Sequence, residues 1–182
     1  MRAGQLNTPA DLLALGIDLQ PQVLGLVWVG IRSKESADAP APVSLRAQVK
    51  VEVRAWFDER LMQGRYLRAD SRLLHLLSVR DFKNDRSELV MTCEELVGQA
   101  AQYTPASGGA AAPCRVFLQH GVARVGDVGR TEYTTQLEAA LIEVGRPQPG
   151  ALFVVAGQTW RVAGLVDDED DRVVRRMWVK PL

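Results

Sequence analysis

The chain has 182 residues, enough for one domain or two small ones, and its apolar fraction of 47% is ordinary for a globular protein. Lys and Arg number 22, as do Asp and Glu, so the formal net charge is zero. This balance argues against a protein that binds nucleic acid mainly by neutralising phosphates. Because no apolar run is long enough to span a bilayer and no signal pattern opens the chain, we expect no membrane partner and assembly in a cytoplasm.

The first half of the chain predicts short β-strands in succession. A Leu-rich stretch between Pro9 and Pro21 predicts a short helical turn, and Val23–Ile31 is rich in β-branched residues, which favour strands. Apolar and polar residues alternate from Leu45 to Phe57, which predicts a strand with one buried face. Three further strands are predicted at residues 66–67, 73–79 and 88–93.

The composition changes after residue 93. Residues 94–103 have the composition of a short helix, and Thr104–Pro113 (TPASGGAAAP) reads as a flexible linker. We therefore expect domains at residues 1–103 and 114–182. Residues 136–144 fit both a helix and a strand, and we favour a strand towards their end. Further strands are predicted at residues 115–122, 152–155, 158–166 and 173–179.

Two stretches of the chain repeat one another at an offset of about 86 residues. Residues 64–86 and 150–172 share glycine, aspartate and arginine positions, and each copy reads as a strand, a turn, a second strand, an acidic turn and a third strand. Such a period is too long for a solenoid and fits two copies of a small domain. The predicted fold class is all-β, with two small antiparallel β-barrel or sandwich domains in tandem, a short helix and mobile loops.

The residues that carry chemistry form no recognisable catalytic, cofactor or metal motif. His75 lies within a Leu-rich strand and His120 near a strand end, whereas a zinc site needs clustered ligands. No glycine-rich loop precedes Lys and Ser or Thr, and no nucleophile motif is present. We expect no enzyme activity and no cofactor. Cys93 and Cys114 are expected to be reduced thiols.

Two polar segments are candidate functional regions. The Pro- and Ala-rich segment 33–44 is expected to be a mobile arm between subunits, with these residues as its candidate contacts: Ser33, Lys34, Glu35, Ser36, Pro40 and Pro42. The densest charge run comprises Asp167, Asp168, Glu169, Asp170 and Asp171. It lacks the ligand spacing of an EF-hand and is read either as a solvated turn or as a loop that repels DNA phosphate from a channel wall.

Residues 1–95 resemble the head–tail joining proteins of phages. The resemblance rests on an Arg-x-Gly-x-Leu opening, a Trp on the next strand, a Val-x-Val-Arg strand and a closing Glu-Leu-x-x-x-Cys-Glu strand. The matching residues are Arg2, Gly4, Leu6, Trp28, Val51, Val53, Arg54, Glu88, Leu89, Cys93 and Glu94.

The second half is similar to the small β-barrel proteins that attach siphophage tails to filled heads. The matching residues are Pro147, Gly150, Gly157, Trp160, Asp167 and Met177–Val179. These resemblances imply a structural virion protein that forms a ring at the neck, joins the portal to the tail and closes the DNA channel. The implied partners are further copies of the chain, portal or adaptor proteins, tail terminator or tail tube proteins, and DNA that passes without sequence-specific binding.

A second hypothesis is a two-barrel nucleic-acid-binding module with an oligonucleotide-binding-like fold. Such a module stacks bases on exposed aromatic rings and surrounds them with basic side chains. The chain has four tryptophans, for which a core or interface role is the default, and Arg172, Arg175, Arg176 and Lys180 form its one basic cluster. The adjoining acidic run offsets that cluster.

Overall fold

The computed structural model describes residues 6–32, 42–125, 129, 131–166 and 171–182, and most of these residues lie in β-strands. The chain divides into two compact units, Met1–Val97 and Gly98–Leu182. Within each unit, six antiparallel strands close into a barrel. The prediction of an all-β protein with two tandem domains is confirmed.

The first barrel closes because its first strand pairs on both sides. Its strands are β1 (Thr8–Leu15), β2 (Pro21–Arg32), β3 (Arg46–Trp56), β4 (Tyr66–Ala69), β5 (Arg72–Asp81) and β6 (Glu88–Leu96). The order around the barrel is β1, β2, β3, β6, β5, β4, and β1 also pairs with β4. Alternation sends Val51, Val53 and Ala55 of β3 into the core, while their neighbours face outwards.

The second barrel has the same connectivity. Its elements are β7 (Gln99–Thr104), β8 (Ala112–Val125), β9 (Thr131–Ala140), α1 (Leu141–Val144), β10 (Leu152–Val155), β11 (Gln158–Leu165) and β12 (Val174–Pro181). The strand order is β7, β8, β9, β12, β11, β10, and β10 pairs with β7. Phe153 is fully buried in the core, and its ring centre lies 5.0 Å from that of Tyr103.

The internal repeat predicted from the sequence is confirmed by the strands themselves. In the first barrel, β4, β5 and β6 begin at residues 66, 72 and 88. Their counterparts β10, β11 and β12 each begin 86 residues later. The β-bulge between Leu76 and Ser78 recurs between Val162 and Gly164. Since a bulge needs one extra residue at a defined position, a shared bulge indicates two copies of one unit.

Backbone hydrogen bonds repeat at the same offset. Gly64 N donates to Leu76 O at 2.9 Å, and Gly150 N donates to Val162 O at 2.8 Å. The carboxylate of Asp85 accepts from Ser87 N, and that of Asp171, its counterpart, accepts from Val173 N. The chain therefore enters β4 and β6 in the same way as it enters β10 and β12.

The turn between β10 and β11 gives a stability prediction. Ala156 and Gly157 join β10 to β11, and both have positive φ (49° and 83°), as a two-residue type I′ turn requires. Alanine is strained in this region, whereas asparagine visits it readily. We expect Ala156→Asn to raise the unfolding free energy of the second barrel by about 0.5–1 kcal/mol in urea titration. The same substitution at the exposed strand residue Ala163 should give no gain.

Three local predictions are corrected by the structure. Residues between Pro9 and Pro21 form most of β1 and its tight connection to β2 rather than a helical turn, because β1 must pair with β2 and β4 to close the barrel. Residues 94–103 are not a helix: β6 continues to Leu96 and β7 begins at Gln99. Residues 136–144 divide between the end of β9 and the single turn α1.

The division between the units lies earlier than the sequence analysis placed it. The contacts separate at Val97 and Gly98, and residues 104–113 join β7 to β8 within the second barrel. Gly108 N donates to Pro105 O at 3.0 Å, and Gly108 and Gly109 both have positive φ. The glycines and small residues that suggested a linker serve a hairpin connection, which needs the same conformational freedom.

Candidate interaction surfaces

The two polar segments singled out in the sequence fall largely outside the described residues. Of the candidate arm, Ser33, Lys34, Glu35, Ser36 and Pro40 lie outside them, and Pro42 is exposed just before β3. Of the acidic run, Asp167, Asp168, Glu169 and Asp170 lie outside them, and Asp171 is exposed. The Asp171 carboxylate accepts from the backbone N of Val173 and Val174 at 3.0 and 3.1 Å, so it shapes the start of β12.

The two histidines occupy different settings. His75 is half-buried on β5, with its ring centre 4.9 Å from that of Tyr66, and its buried Nδ1 has no hydrogen-bond partner among the described residues. Burial lowers the pKa of His75, against an opposing effect of Glu94. His120 is exposed on β8, where its Nδ1 lies 3.1 Å from Thr135 Oγ1.

Burial of neutral His75 predicts a pH dependence. Below about pH 6.5, the ordinary pKa of histidine, His75 is protonated in the unfolded chain more readily than in the folded barrel. The folded barrel therefore has its full stability above about pH 6.5 and loses stability as the pH falls towards the lowered pKa of the folded state. We expect the urea midpoint of the first barrel to fall between about pH 7 and 5, and His75→Phe to flatten that slope. Equal slopes for both proteins would contradict this assignment.

The two cysteines are core residues rather than reactive thiols. Cys93 and Cys114 are free, and each is buried in the core of its own barrel, where burial raises the pKa of each thiol to about 12. Within residues 6–32, 42–125, 129, 131–166 and 171–182, no three His, Cys, Asp or Glu side chains are grouped to hold a metal ion. In that same part of the chain, no helix is long and apolar enough to cross a membrane.

Glu94, the last residue of the Glu-Leu-x-x-x-Cys-Glu motif on β6, belongs to an ion-pair cluster. Glu94 is only 4% exposed, and its carboxylate accepts from Arg46 Nη1 at 2.6 Å and from Lys50 Nζ at 2.5 Å. Both cations come from β3, the neighbour of β6 in the barrel. A buried carboxylate needs such partners, so this cluster fixes β3 against β6.

A row of exposed aromatic side chains crosses the outside of the first barrel. Trp28 on β2 is 53% exposed, Trp56 on β3 is 54% exposed, and Phe82 after β5 is 49% exposed. Val29 pairs with Ala55, and the next residues of these two antiparallel strands, Trp28 and Trp56, lie opposite each other. We call Trp28, Trp56 and Phe82 the aromatic row.

Strand pairing places the aromatic row across four neighbouring strands. Trp28 on β2 lies beside Trp56 on β3, and Trp56 is paired with Glu88 on β6. Phe82 N donates to Glu88 O at 2.9 Å, which places Phe82 beyond Glu88 at the end of β5. Because neighbouring strands lie about 4.8 Å apart, the row spans about 14 Å. Exposed aromatic side chains grouped in this way, with charged residues around them, are typical of a protein-binding site.

A depression adjoins Phe82 at one end of the row. Its volume is about 320 Å³, and it is lined by Glu52, Arg54, Arg80, Asp81, Phe82 and Val90. Val90 forms its apolar floor and is paired with Arg54 on one side and Arg80 on the other. The Arg54 guanidinium lies 5.2 Å from the centre of the Phe82 ring and contacts Glu52 and Glu88 at 2.9 and 3.4 Å. The rim is therefore charged and ordered by ion pairs.

The described residues of the second barrel do not form this surface. With Met91 and Met177 as equivalent core positions, strand register places Arg115 where the first barrel has Trp28 and Ala140 where it has Trp56. Arg115 pairs with Glu143 of α1 at 2.9 Å, and Ala140 is buried. The chain itself therefore covers this face in the second copy, whereas the described residues of the first copy leave it exposed.

A second exposed surface belongs to the β8–β9 hairpin. The pairing of β8 with β7 ends at Val116, and that of β9 with β12 ends at Thr135, but β8 and β9 stay paired as far as Val125 and Thr131. We call residues 119–125 and 131–135 the hairpin extension. Tyr133 and Val125 within it are 76% and 75% exposed.

Comparison with known proteins gives a family. The family model described as Phage Head-Tail Attachment protein matches residues 79–179, more than half of the chain. The matched residues run from the end of β5 through β6 and the second barrel to β12. Comparison with curated proteins gives no match. Comparison with solved structures gives none either.

Proposed function

Because the chain belongs to the phage head-tail attachment protein family, we propose that it forms a ring at the neck of a tailed phage or prophage particle. Membership makes it a structural protein of the virion that contacts head and tail components. In our proposal the ring joins the portal or an adaptor protein to the tail terminator or tail tube and closes the DNA channel. We assign it no catalytic step and no cofactor.

The exposed aromatic row is the observation that carries this proposal. In a closed barrel the backbone N–H and C=O groups of the strands are paired with one another and no strand edge is free. A partner therefore docks on side chains rather than on a strand edge. Two half-exposed tryptophans and a phenylalanine on one face are the residue types that dominate interface energetics. A ring needs contacts between two unlike surfaces of one chain, and within the part of the chain that the structure describes the row is present on the first barrel alone.

Charge supports a passive role towards DNA. The formal net charge is zero, and segment 167–171 adds five acidic residues in sequence. We propose that this segment faces the channel, where it repels phosphate and lets DNA pass without sequence-specific binding. An exposed row of aromatic rings also suits a single-strand-binding platform, the alternative function.

Two arginines of the first barrel argue against the alternative. Arg54 is paired with Glu52 and Glu88, and Arg68 with Asp11 at 2.9 Å. Phosphate binding would have to displace these carboxylates. A fluorescence titration with a single-stranded oligonucleotide at 50 and 200 mM salt tests this: binding that weakens steeply with salt would favour the alternative.

The candidate arm provides the test of ring assembly. Replacing residues 33–44 by a Gly/Ser linker of equal length keeps β2 and β3 connected and removes the side chains proposed to order on a neighbouring subunit. We expect a folded monomer that fails to enter particles, measured by quantitative mass spectrometry of purified virions. The matched control replaces residues 106–111, in the β7–β8 connection, in the same way. Normal incorporation of the first variant would contradict the role of the arm.

A further inference from the structure

The inner face of the second barrel continues into the hairpin extension without a core to cover it. Leu137 of β9 is fully buried, and alternation puts Thr135, Tyr133 and Thr131 on the same face. Tyr133 lies opposite Ala123 and is 76% exposed. The pattern that builds a core thus extends beyond the barrel and presents an aromatic side chain to solvent.

The polar neighbours of Tyr133 are also defined. On the opposite face of the extension, Glu132 is paired with Arg124, and the Arg124 guanidinium lies 5.5 Å from the centre of the Trp178 ring. The extension therefore presents an aromatic side chain on one face and an acid and a base on the other. Its surface is unlike the aromatic row, so the two could meet as different halves of a head-to-tail contact.

We propose that Tyr133 of one copy inserts into the depression beside Phe82 on the first barrel of the next copy. This inference rests on the proposed ring and names the surfaces that build it. A closed ring repeats one contact between two different patches of the same chain. The depression and the hairpin extension are such a pair, since they differ in chemistry and one lies on each barrel.

Chemical complementarity supports this occupant. Phe82 and Val90 offer apolar contact to the tyrosine ring, and the rim offers Arg80 and Asp81 to its hydroxyl. Tyrosine is among the residues that most often anchor interfaces, because one end is apolar and the other polar.

Cysteine cross-linking in assembled particles tests the contact. The double variant Phe82→Cys, Tyr133→Cys should form a ladder of disulfide-linked multimers on mild oxidation, because every copy carries both halves. Cys93 and Cys114 are buried and do not compete. Each single variant should stay monomeric in non-reducing gels. The matched control pairs Phe82→Cys with Val154→Cys, an exposed residue of the second barrel, and should give no ladder.

The outcomes separate this contact from the proposed function. Absence of a ladder in particles that contain a ring of the chain overturns the contact and leaves the ring in place. A disulfide within one chain, or one to a different virion protein, also overturns it. Absence of the wild-type chain from the neck overturns the proposed function itself.

Removal of the tyrosine ring tests the same contact without cysteine. Tyr133→Ala should lower incorporation into particles at least about tenfold, because it removes the aromatic side chain that fills the depression. The matched control is Val125→Ala, which removes another exposed apolar side chain of the hairpin extension and should leave incorporation unchanged. Normal incorporation of Tyr133→Ala would contradict the insertion of Tyr133.

Discussion

Replacement of Phe153 by Ala should lower the unfolding free energy of the second barrel by about 3–5 kcal/mol, the usual cost of removing a buried phenylalanine ring. Phe153 is fully buried, and its ring packs against Tyr103 on the paired strand β7. The loss combines apolar burial with a cavity that the closed barrel cannot collapse. Urea unfolding followed by tryptophan fluorescence and by hydrogen exchange measures it.

The duplication supplies a matched variant in the other barrel. Leu67 lies 86 residues before Phe153, is also fully buried, and occupies the second position of β4 as Phe153 does of β10. Leu67→Ala should cost the first barrel about 2–5 kcal/mol. Since each unit has its own core cluster, hydrogen exchange should report each loss in one barrel. Equal loss of protection in both barrels would contradict the division into two units.

Joint replacement of Trp28 and Trp56 by Ala should abolish attachment while leaving the fold intact. Both side chains are more than half exposed, so the stability cost should stay within about 1 kcal/mol. An interface anchored by two tryptophans loses about 2 kcal/mol or more for each. We therefore expect incorporation into particles to fall at least about 100-fold, measured by mass spectrometry of purified virions and by infectivity where the phage is functional.

The control for this pair uses exposed apolar residues away from the row. Ile17 and Met62 are 102% and 52% exposed, and both lie in turns of the first unit. Ile17→Ala with Met62→Ala removes apolar surface without touching the aromatic row and should leave incorporation unchanged. Wild-type incorporation of the tryptophan variant would show that the row is not an attachment surface.

The strands were predictable wherever alternation or repetition marked them. The alternating pattern of β3 puts Trp56 in the same set as Arg54 and Glu52, which face outwards, so its exposure could be inferred from period two alone. The repeat at 86 residues indicated that β4, β5 and β6 are equivalent to β10, β11 and β12. Local periodicity and spacing are properties that a sequence carries directly.

The aromatic row could not be predicted, because it depends on pairing between distant strands. Trp28, Trp56 and Phe82 are brought together only by the order β2, β3, β6, β5 around the barrel. Barrel closure likewise overrode local composition at residues 94–103, where β6 and β7 replace the predicted helix. Long-range hydrogen bonding outweighs weak helix propensity when a strand is needed to complete a barrel.

Cryo-electron microscopy of the parent particle tests the central claim most directly. Our account predicts that this chain occupies a ring between the portal and the tail, with the aromatic row of every copy covered by another protein surface. Density that is complete at the neck without room for this chain, or a ring in which Trp28 and Trp56 face solvent, would contradict the account.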